Sequence, residues 1–338
     1  MGEQRSDPPI RVRPWGVVRL AVIVALLAVG IVLWVSRGEG GDATPQQTAL
    51  GRHPHLPASP PAPAPTGAQP HHTPAPHQIA VRGLTAPLSP GACMYFPPTN
   101  GNRHETVFLD PGHGGLDPGA EGHTSTGRVV FERQATLPVA KDAAGVLRAR
   151  GYGVVLSRTR NENVVVLPSS DRDGKLMTPD GVHLDVVARV ACANAAHANV
   201  LVSIHFNTFG TPDVGGADTH YDSSRPFGRQ NHRLAQIMQG DLVRAFAHAG
   251  WPVPNRGLIN WTQENAPALT ARANEYGHLL MIGPYSKGWN DHPSQMPGVL
   301  IEPLFVSRPT EADIAVSSHG QHVMGAAIAH AIQQFLNP

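Results

Sequence analysis

Residues 106–115 read TVFLDPGHGG, a short apolar run that passes directly into a loop of proline and glycine around one histidine. The run Thr106–Leu109 has the composition of a buried strand, and Asp110-Pro111-Gly112 ends it. In an open α/β sheet, sites lie at the carboxyl ends of strands. His113 therefore stands where a functional residue is expected, with an ordinary glycine-rich turn and an incidental histidine as the alternative.

The sequence that follows this stretch predicts strands alternating with helices. The predicted elements are the strands Thr106–Leu109, Gly153–Ser157, Val200–Ile204, Gly215–Tyr221 and Val299–Glu302, and the helices Ala135–Arg150, Leu184–His197, Asn231–Ala249 and Gln321–Leu336. Such alternation predicts an α/β fold with a largely parallel sheet that helices cover on both faces. The long irregular segments 160–183 and 250–297 are expected to be surface loops near the site.

The first 37 residues predict a short cytoplasmic tail followed by a transmembrane anchor. Leu20–Val35 is a run of sixteen uncharged residues with arginines mostly on its N-terminal side. With its flanks it approaches the roughly 20 residues that span a bilayer, and the arginines place the remainder of the chain outside the cytoplasm. A cleaved signal peptide is the alternative, which would make the protein secreted. We favour the uncleaved anchor because no A-x-A site follows Val35.

Residues 38–103 predict a disordered linker, typified by PASPPAPAP at positions 57–65. Such a proline-rich stretch buries too little apolar surface to fold, so the folded domain is expected to cover residues 104–338. The net charge of +1 argues against a nucleic-acid partner. Two cysteines exclude a multi-cysteine zinc module. Cys93 and Cys192 could form a disulfide outside the cytoplasm, or Cys192 could be a small buried residue.

A second histidine, His205, ends the apolar strand Val200–Ile204. Two histidines at the carboxyl ends of neighbouring strands can converge on one metal ion, and a third ligand is then sought among acidic residues. Glu132, at the start of the helix after the first loop, and Glu121 are both candidates. Two histidines, one carboxylate and an open position are typical of catalytic zinc, with iron and manganese as alternatives.

Glu302 ends the buried strand Gly298–Ile301, where an unpaired carboxylate would be costly. It is either a salt-bridge partner of an arginine or a general base beside the metal. The G-x-S-x-G motif is absent from the sequence, so serine-nucleophile chemistry has no support. The H-E-x-x-H and P-loop motifs are absent as well.

Together, five stretches resemble the zinc-dependent N-acetylmuramoyl-L-alanine amidases of the type 3 amidase family. They are Asp110–Gly122 (DPGHGGLDPGAEG), Phe131–Gln134, Arg189–Asn194, Ser203–Asn207 and Val299–Phe305 (VLIEPLF). The resemblance covers about residues 105–337. It implies a twisted six-stranded sheet flanked by helices, and hydrolysis of the amide between the lactyl group of N-acetylmuramic acid and L-alanine in peptidoglycan.

The resemblance also implies a role for individual residues. His113, Glu132 and His205 match the ligands of Zn²⁺, Glu302 matches the catalytic glutamate, and Asn207 lies where a residue near the substrate is expected.

Two departures from the family pattern concern substrate preference and regulation. Pro303 directly follows the glutamate, where it removes a backbone donor. Residues 260–297 form a longer segment than usual, in which Gly277–Ile282 is expected as an additional strand.

The resulting expectation is a membrane-anchored autolysin whose catalytic domain, residues 104–338, acts on peptidoglycan outside the cytoplasm. A regulatory protein partner is left open by the sequence. Two alternatives remain: a non-catalytic or regulatory peptidoglycan-binding protein on the amidase fold, and a zinc peptidase acting on wall peptides.

Overall fold

A computed structural model describes residues 74–261 and 270–337 of the chain. The predicted membrane segment Leu20–Val35 and most of the predicted linker lie outside these residues. Within the described ranges, no helix is both long enough and apolar enough to cross a bilayer.

Eight of the strands in the described part of the chain form one sheet. In chain order the strands are β1 (His77–Gln78), β2 (Ala92–Phe96), β3 (Thr106–Pro111), β4 (Glu121–His123), β5 (Val129–Phe131), β6 (Gly153–Arg158), β7 (Arg172–Asp173), β8 (Leu176–Met177), β9 (Val200–Ile204), β10 (Ala217–Tyr221), β11 (Asn255–Asn260) and β12 (Gly298–Glu302). The order across the large sheet is β1-β2-β6-β3-β9-β12-β10-β11, while β4 with β5 and β7 with β8 form small hairpins.

The centre of this sheet is parallel. β3 runs parallel to both β6 and β9, and β9 runs parallel to β12. β2 and β10 are antiparallel to their neighbours β6 and β12. Every residue of β9 is buried, as expected of a strand covered on both faces. The predicted α/β fold with a mostly parallel sheet is confirmed, but the expected six strands are too few.

The strands β1, β2 and β11 are additions to the predicted sheet. β2 (ACMYF) lies in the stretch predicted as linker, yet it pairs with β6 through Met94 opposite Leu156 and Phe96 opposite Val154. The boundary at residue 103 is therefore wrong, and the folded region includes residues before it. The composition of this stretch does not indicate a strand, because β2 is short and is flanked by proline and glycine. Its pairing partner β6 lies about 60 residues later in the chain.

Helices cover both faces of the sheet. They are α1 (Arg133–Ala149), α2 (Pro179–Ala195), α3 (Gly228–His248), α4 (Ala271–Tyr276), α5 (Pro309–Val316) and α6 (Ser318–Leu336). On one face, α1, α3 and α6 pack against alternate strand residues such as Val107 and Val299. On the other face, α2 packs against Phe108 and Leu201. The side chains of a strand alternate between faces, so each core receives every second residue.

A disulfide bond joins Cys93 in β2 to Cys192 in α2. Both cysteines are fully buried in the core beneath α2. The bond therefore attaches β2, which lies next to the edge strand β1, to the helix that covers this face.

The segment Gly277–Ile282 is not a strand, contrary to expectation. Gly277 ends α4 in the left-handed conformation, with a φ of 67°, and turns follow it. Met281 and Ile282 are buried in the core beneath α2. Their apolar character therefore reflects packing against the face of the sheet, while the additional strand in this part of the chain is β11.

Candidate active site

His113 lies in the loop that follows β3, at the carboxyl edge of the sheet. Its backbone is left-handed, with a φ of 60°. The fully buried Arg158 donates from Nε to the Pro111 carbonyl and from Nη2 to the Gly112 carbonyl, both at 2.9 Å. Arg189 Nη2 donates to the His113 carbonyl at 2.8 Å. Two buried guanidinium groups thus hold the loop in place from below.

Glu132 immediately precedes α1 and points across the same edge. Its Oε2 accepts a hydrogen bond from the Ala120 amide at 3.0 Å, and its Oε1 accepts one from the Phe206 amide at 2.9 Å. The side chain is buried. The two backbone amides fix the orientation of the carboxylate. Hydrogen bonds of this kind also favour its charged form.

His205 directly follows β9, and its ring lies against Gly112. A Cβ atom at position 112 would lie 2.4 Å from His205 Nε2, so only glycine leaves room for the ring. A Cβ at Gly119 would similarly lie 2.7 Å from Glu132 Oε2. The glycines of the loop are therefore required by the close approach of these side chains.

The donor atoms of His113, Glu132 and His205 converge on one point. Glu132 Oε1 lies 2.9 Å from His113 Nε2 and 3.0 Å from His205 Nδ1, and the two ring nitrogens are 3.0 Å apart. These three residues form the one group in the described chain that could hold a metal ion. Two imidazole nitrogens and a carboxylate oxygen fit a first-row divalent cation.

The electrostatics of this cluster favour a cation. Burial by itself would lower the pKa of His113, but Glu132 and Asp117 outweigh it and raise that pKa to about 10. Burial would raise the pKa of Glu132, and the neighbouring His113 and His205 lower it. A negative field strong enough to hold a proton on His113 also attracts a metal ion in its place.

Asp117 orients the His113 ring and was missed by the sequence analysis. His113 Nδ1 donates to Asp117 Oδ2 at 2.8 Å, and Asp117 Oδ1 accepts from the Gly119 amide at 3.0 Å. With the proton on Nδ1, Nε2 is left as the ring atom that could bind a metal ion, the arrangement that is usual for ligating histidines. The signal in the sequence was an acidic residue four positions after His113 in the same loop.

A buried ionic network lies beneath the cluster. Asp110 accepts from Arg189 Nη1 at 2.7 Å, from Ser157 Oγ at 2.6 Å and from Ser203 Oγ at 2.7 Å. Burial would raise the pKa of Asp110, but Arg189 and the two hydroxyls lower it to about 2. Arg189 also pairs with Asp185 at 2.7 Å. The network links β3, β6, β9 and α2, and no residue of it was predicted to support the site.

Glu302 ends β12, on the strand next to His205. The His205 amide donates to the Ile301 carbonyl at 2.9 Å, so the two side chains leave the sheet at the same edge. Burial, followed by the charges of Glu132 and Asp218, raises the pKa of Glu302 well above its ordinary value. In the described part of the chain, its Oε2 is buried without a hydrogen-bond partner. The structure therefore does not support the salt bridge considered for this residue.

The remaining candidate residues are Glu121 and Asn207. Glu121 is exposed on β4 and does not belong to the group of donor atoms. Asn207 continues the pairing of β9 with β12, because its amide donates to the Leu304 carbonyl at 2.9 Å. Its Oδ1 accepts from the Thr208 amide at 2.8 Å.

Comparison with known proteins identifies the family of this chain. Residues 107–334 match the model of a family described as N-acetylmuramoyl-L-alanine amidase. The chain belongs to this family. The AmiA amidase of Salmonella typhimurium is 31% identical over 248 residues, which is 68% of this chain and 76% of that protein.

Two further relatives show how far the similarity extends. The AmiC amidase of Neisseria meningitidis serogroup B is 28% identical over 249 residues, which is 70% of this chain and 53% of that protein. The match thus spans about half the length of AmiC. Among solved structures, the CwlD amidase from Clostridioides difficile, in complex with the GerS lipoprotein, has a TM-score of 0.51 at 22% identity. That likeness covers 69% of this chain and 98% of the other, and it shows a shared fold.

Proposed function

We propose that this chain hydrolyses the amide bond between the lactyl group of N-acetylmuramic acid and L-alanine in peptidoglycan, with Zn²⁺ held by His113, Glu132 and His205. The observation that carries the proposal is the convergence of three donor atoms beside Glu302, in a chain of the N-acetylmuramoyl-L-alanine amidase family. Amide hydrolysis needs an activated water, a stabilised oxyanion and a proton for the departing nitrogen. A metal ion held by these three donors would serve the first two needs, and Glu302 would serve the third.

The donor set supports zinc as the metal. Two imidazoles and one carboxylate are a common set of protein ligands in catalytic zinc sites, and here His113, Glu132 and His205 would hold the ion. When bound there, Zn²⁺ supplies Lewis acidity, which lowers the pKa of water towards about 7 and polarises the scissile carbonyl. Asp117 holds the His113 ring in the tautomer that this requires.

Glu302 is the proton carrier in the proposed mechanism. A carboxylate oxygen of Glu302 takes a proton from the attacking water and then delivers it to the nitrogen of the departing L-alanine. Burial and the nearby carboxylates raise the pKa of Glu302, so the proton is retained until the amide bond breaks. Its strand neighbours that of His205, which keeps the proton carrier beside the metal-binding atoms.

Asn207 is proposed to contact the substrate. It lies two residues after His205, and its backbone bridges to Phe305 beyond Glu302. This position at the carboxyl edge of the sheet is where the substrate of an α/β enzyme binds.

The proposed location is the outer side of the cell membrane, with Leu20–Val35 as a single uncleaved anchor and the stretch after it as a tether. Secretion follows if that segment is cleaved. The buried Cys93–Cys192 disulfide supports an extracytoplasmic location, because such bonds persist in oxidising compartments. The site of action would then be the cell wall itself.

The test incubates the full chain with purified peptidoglycan, with a chelator, and with chelator followed by added Zn²⁺. Released products are identified by mass spectrometry. We expect peptides with a free L-alanine amine, lost with chelator and restored by zinc. Glu302→Gln is expected to lower the rate at least about 100-fold while the chain still binds zinc. Glu121→Gln, an exposed glutamate on β4, is the matched control and keeps its activity.

Three other outcomes would redirect the proposal. Products cleaved within the peptide would indicate a zinc peptidase. Stoichiometric zinc without any release would indicate a different substrate. Neither release nor bound zinc would favour a peptidoglycan-binding protein on the amidase fold.

A further inference from the structure

Three cavities that share wall residues lead from the cluster of His113, Glu132 and His205 past α2 to the segment after α4. The first, about 140 Å³, is lined by His113, His205 and the residues beneath them. It shares Val182 and Val186 in its wall with a second cavity of about 150 Å³. The second shares Trp289 with a third cavity of about 470 Å³. We name these three cavities together the α2 groove.

The character of the groove changes along its length. The middle cavity has a mainly apolar lining that includes Val182, Val186 and Leu279. The far cavity has a polar lining in which two cations, Arg272 and Lys287, lie among aromatic rings.

The far end of the groove is built by contacts within the segment after α4. The Arg272 guanidinium lies 5.3 Å from the centre of the Trp289 ring, and its Nη2 donates to the Gly288 carbonyl. Tyr276 Oη donates to the Pro284 carbonyl at 2.7 Å. Lys287 is exposed at the rim. One acidic residue, Glu275, also lines this cavity. The two cations are thus displayed on a surface that the protein itself holds in shape.

We propose that the α2 groove binds the peptide part of the substrate and that Arg272 and Lys287 receive its carboxylates. This inference rests on the proposed function. The scissile amide separates a neutral sugar from a peptide that carries carboxylates, so a cationic end distinguishes the two sides of the bond. The apolar middle accommodates the backbone and small side chains, while the cations pair with the acidic groups.

The far end of the groove belongs to the segment that the sequence analysis expects to depart from the family pattern. Arg272 and Lys287 both lie within residues 260–297, which the resemblance predicts to be longer than usual. The groove would therefore set which wall peptides this chain prefers, while the cluster around His113 performs the chemistry.

The test compares two substrates, N-acetylmuramoyl-L-alanyl-D-glutamic acid and its diamide. We expect the zinc-loaded full chain to favour the acid in kcat/KM. Lys287→Glu should reduce this preference at least tenfold, mainly through KM, because a charged hydrogen bond is replaced by repulsion. Arg272→Gln should change it in the same direction. Lys141→Glu is the matched control, since this exposed lysine lies on α1 on the opposite face of the sheet.

A second measurement separates the groove from the reaction. Calorimetry gives the Kd of both compounds for the Glu302→Gln chain, with and without Lys287→Glu. Equal hydrolysis of acid and diamide, or an unchanged preference in Lys287→Glu, overturns the groove assignment and leaves the amidase intact. Preferential binding of the acid without any hydrolysis by the wild type rejects the reaction and keeps the groove. Neither hydrolysis nor preferential binding rejects both.

Discussion

Asp218 lies directly opposite Glu302 in the antiparallel pairing of β10 with β12. Directly opposed residues present their side chains on the same face of a sheet. Asp218 is fully buried and accepts hydrogen bonds from His220 Nε2 at 2.7 Å and from Arg256 Nε at 3.2 Å. Trp261 Nε1 donates to His220 Nδ1, so the ring proton of His220 is on the nitrogen that faces Asp218. A second carboxylate is thereby held beside the proposed proton carrier.

This relationship predicts the effect of Asp218→Asn on the pH dependence of hydrolysis. Burial is the largest cause of the raised pKa of Glu302, and the charge of Asp218 contributes to it. Removing that charge lowers the pKa of Glu302, so its base form persists to lower pH. The acidic limb of the profile of kcat/KM against pH should therefore move to lower pH.

Asp241→Asn is the control for this shift. Asp241 is also buried and pairs with His330 at 2.7 Å, but it lies on α3. Its loss should lower stability and leave the acidic limb in place. A profile that moves equally in both variants would contradict the electrostatic role of Asp218.

Asp117→Asn is expected to weaken zinc binding about 10- to 100-fold, because outer residues that orient a ligating histidine have effects of this size. The carboxylate that accepts the His113 Nδ1 proton becomes an amide, which can turn its NH₂ group towards the ring and favour the wrong tautomer. Affinity is measured by competition with a chromophoric chelator. The exposed Asp173→Asn should bind zinc like the wild type. An unchanged affinity in Asp117→Asn would remove Asp117 from the site.

The lowered pKa of Asp110 predicts that the folded chain loses stability in acid. Its pKa in the folded chain is about 2, below the ordinary value of 3.8, so its ionised form stabilises the fold above about pH 4. That contribution is about 2 kcal/mol, and it is lost as the pH falls through 3.8 towards 2. Urea unfolding at pH 5 and pH 2.5 should show a larger drop for the wild type than for Asp110→Asn. Equal drops would show that Asp110 titrates alike in both states.

The disulfide predicts a large effect of reduction on stability. Cys93 and Cys192 are 99 residues apart, and closing a loop of that length stabilises a fold by about 5 kcal/mol in the chain-entropy model. The double variant Cys93→Ser with Cys192→Ser should lose stability of that order in urea unfolding. Reducing agent should destabilise the wild type and leave the double variant unchanged. A wild type that is insensitive to full reduction would contradict the prediction.

Short-range patterns were enough to nominate the two candidate histidine ligands. His113 and His205 each follow an apolar strand, and strand ends in a parallel sheet share an edge. Glu132 stands at the predicted start of a helix, as the structure has it. The choice between Glu132 and Glu121 had to come from the resemblance, because spacing along the chain does not say which carboxylate crosses the edge.

Other parts of the site depend on contacts between distant residues. Arg158 and Arg189 hold the His113 loop from β6 and α2, more than 40 residues away in the chain. No local pattern distinguishes a buried arginine of this kind from one that faces solvent. Local patterns place β2 in the linker for the same reason. The strand forms through pairing with β6, which lies far along the chain.

The sequence by itself determined the order of the central strands and the long helices, the carboxyl edge as the place of the site, and the residue types available there. These follow from apolar periodicity and from strand ends, which are properties of neighbouring residues. Only the tertiary structure decided that Glu132 Oε1 meets both histidines, that Asp117 orients one of them and that Asp218 faces Glu302. Those relationships arise from strand register and buried hydrogen bonds, which join residues that the chain keeps far apart.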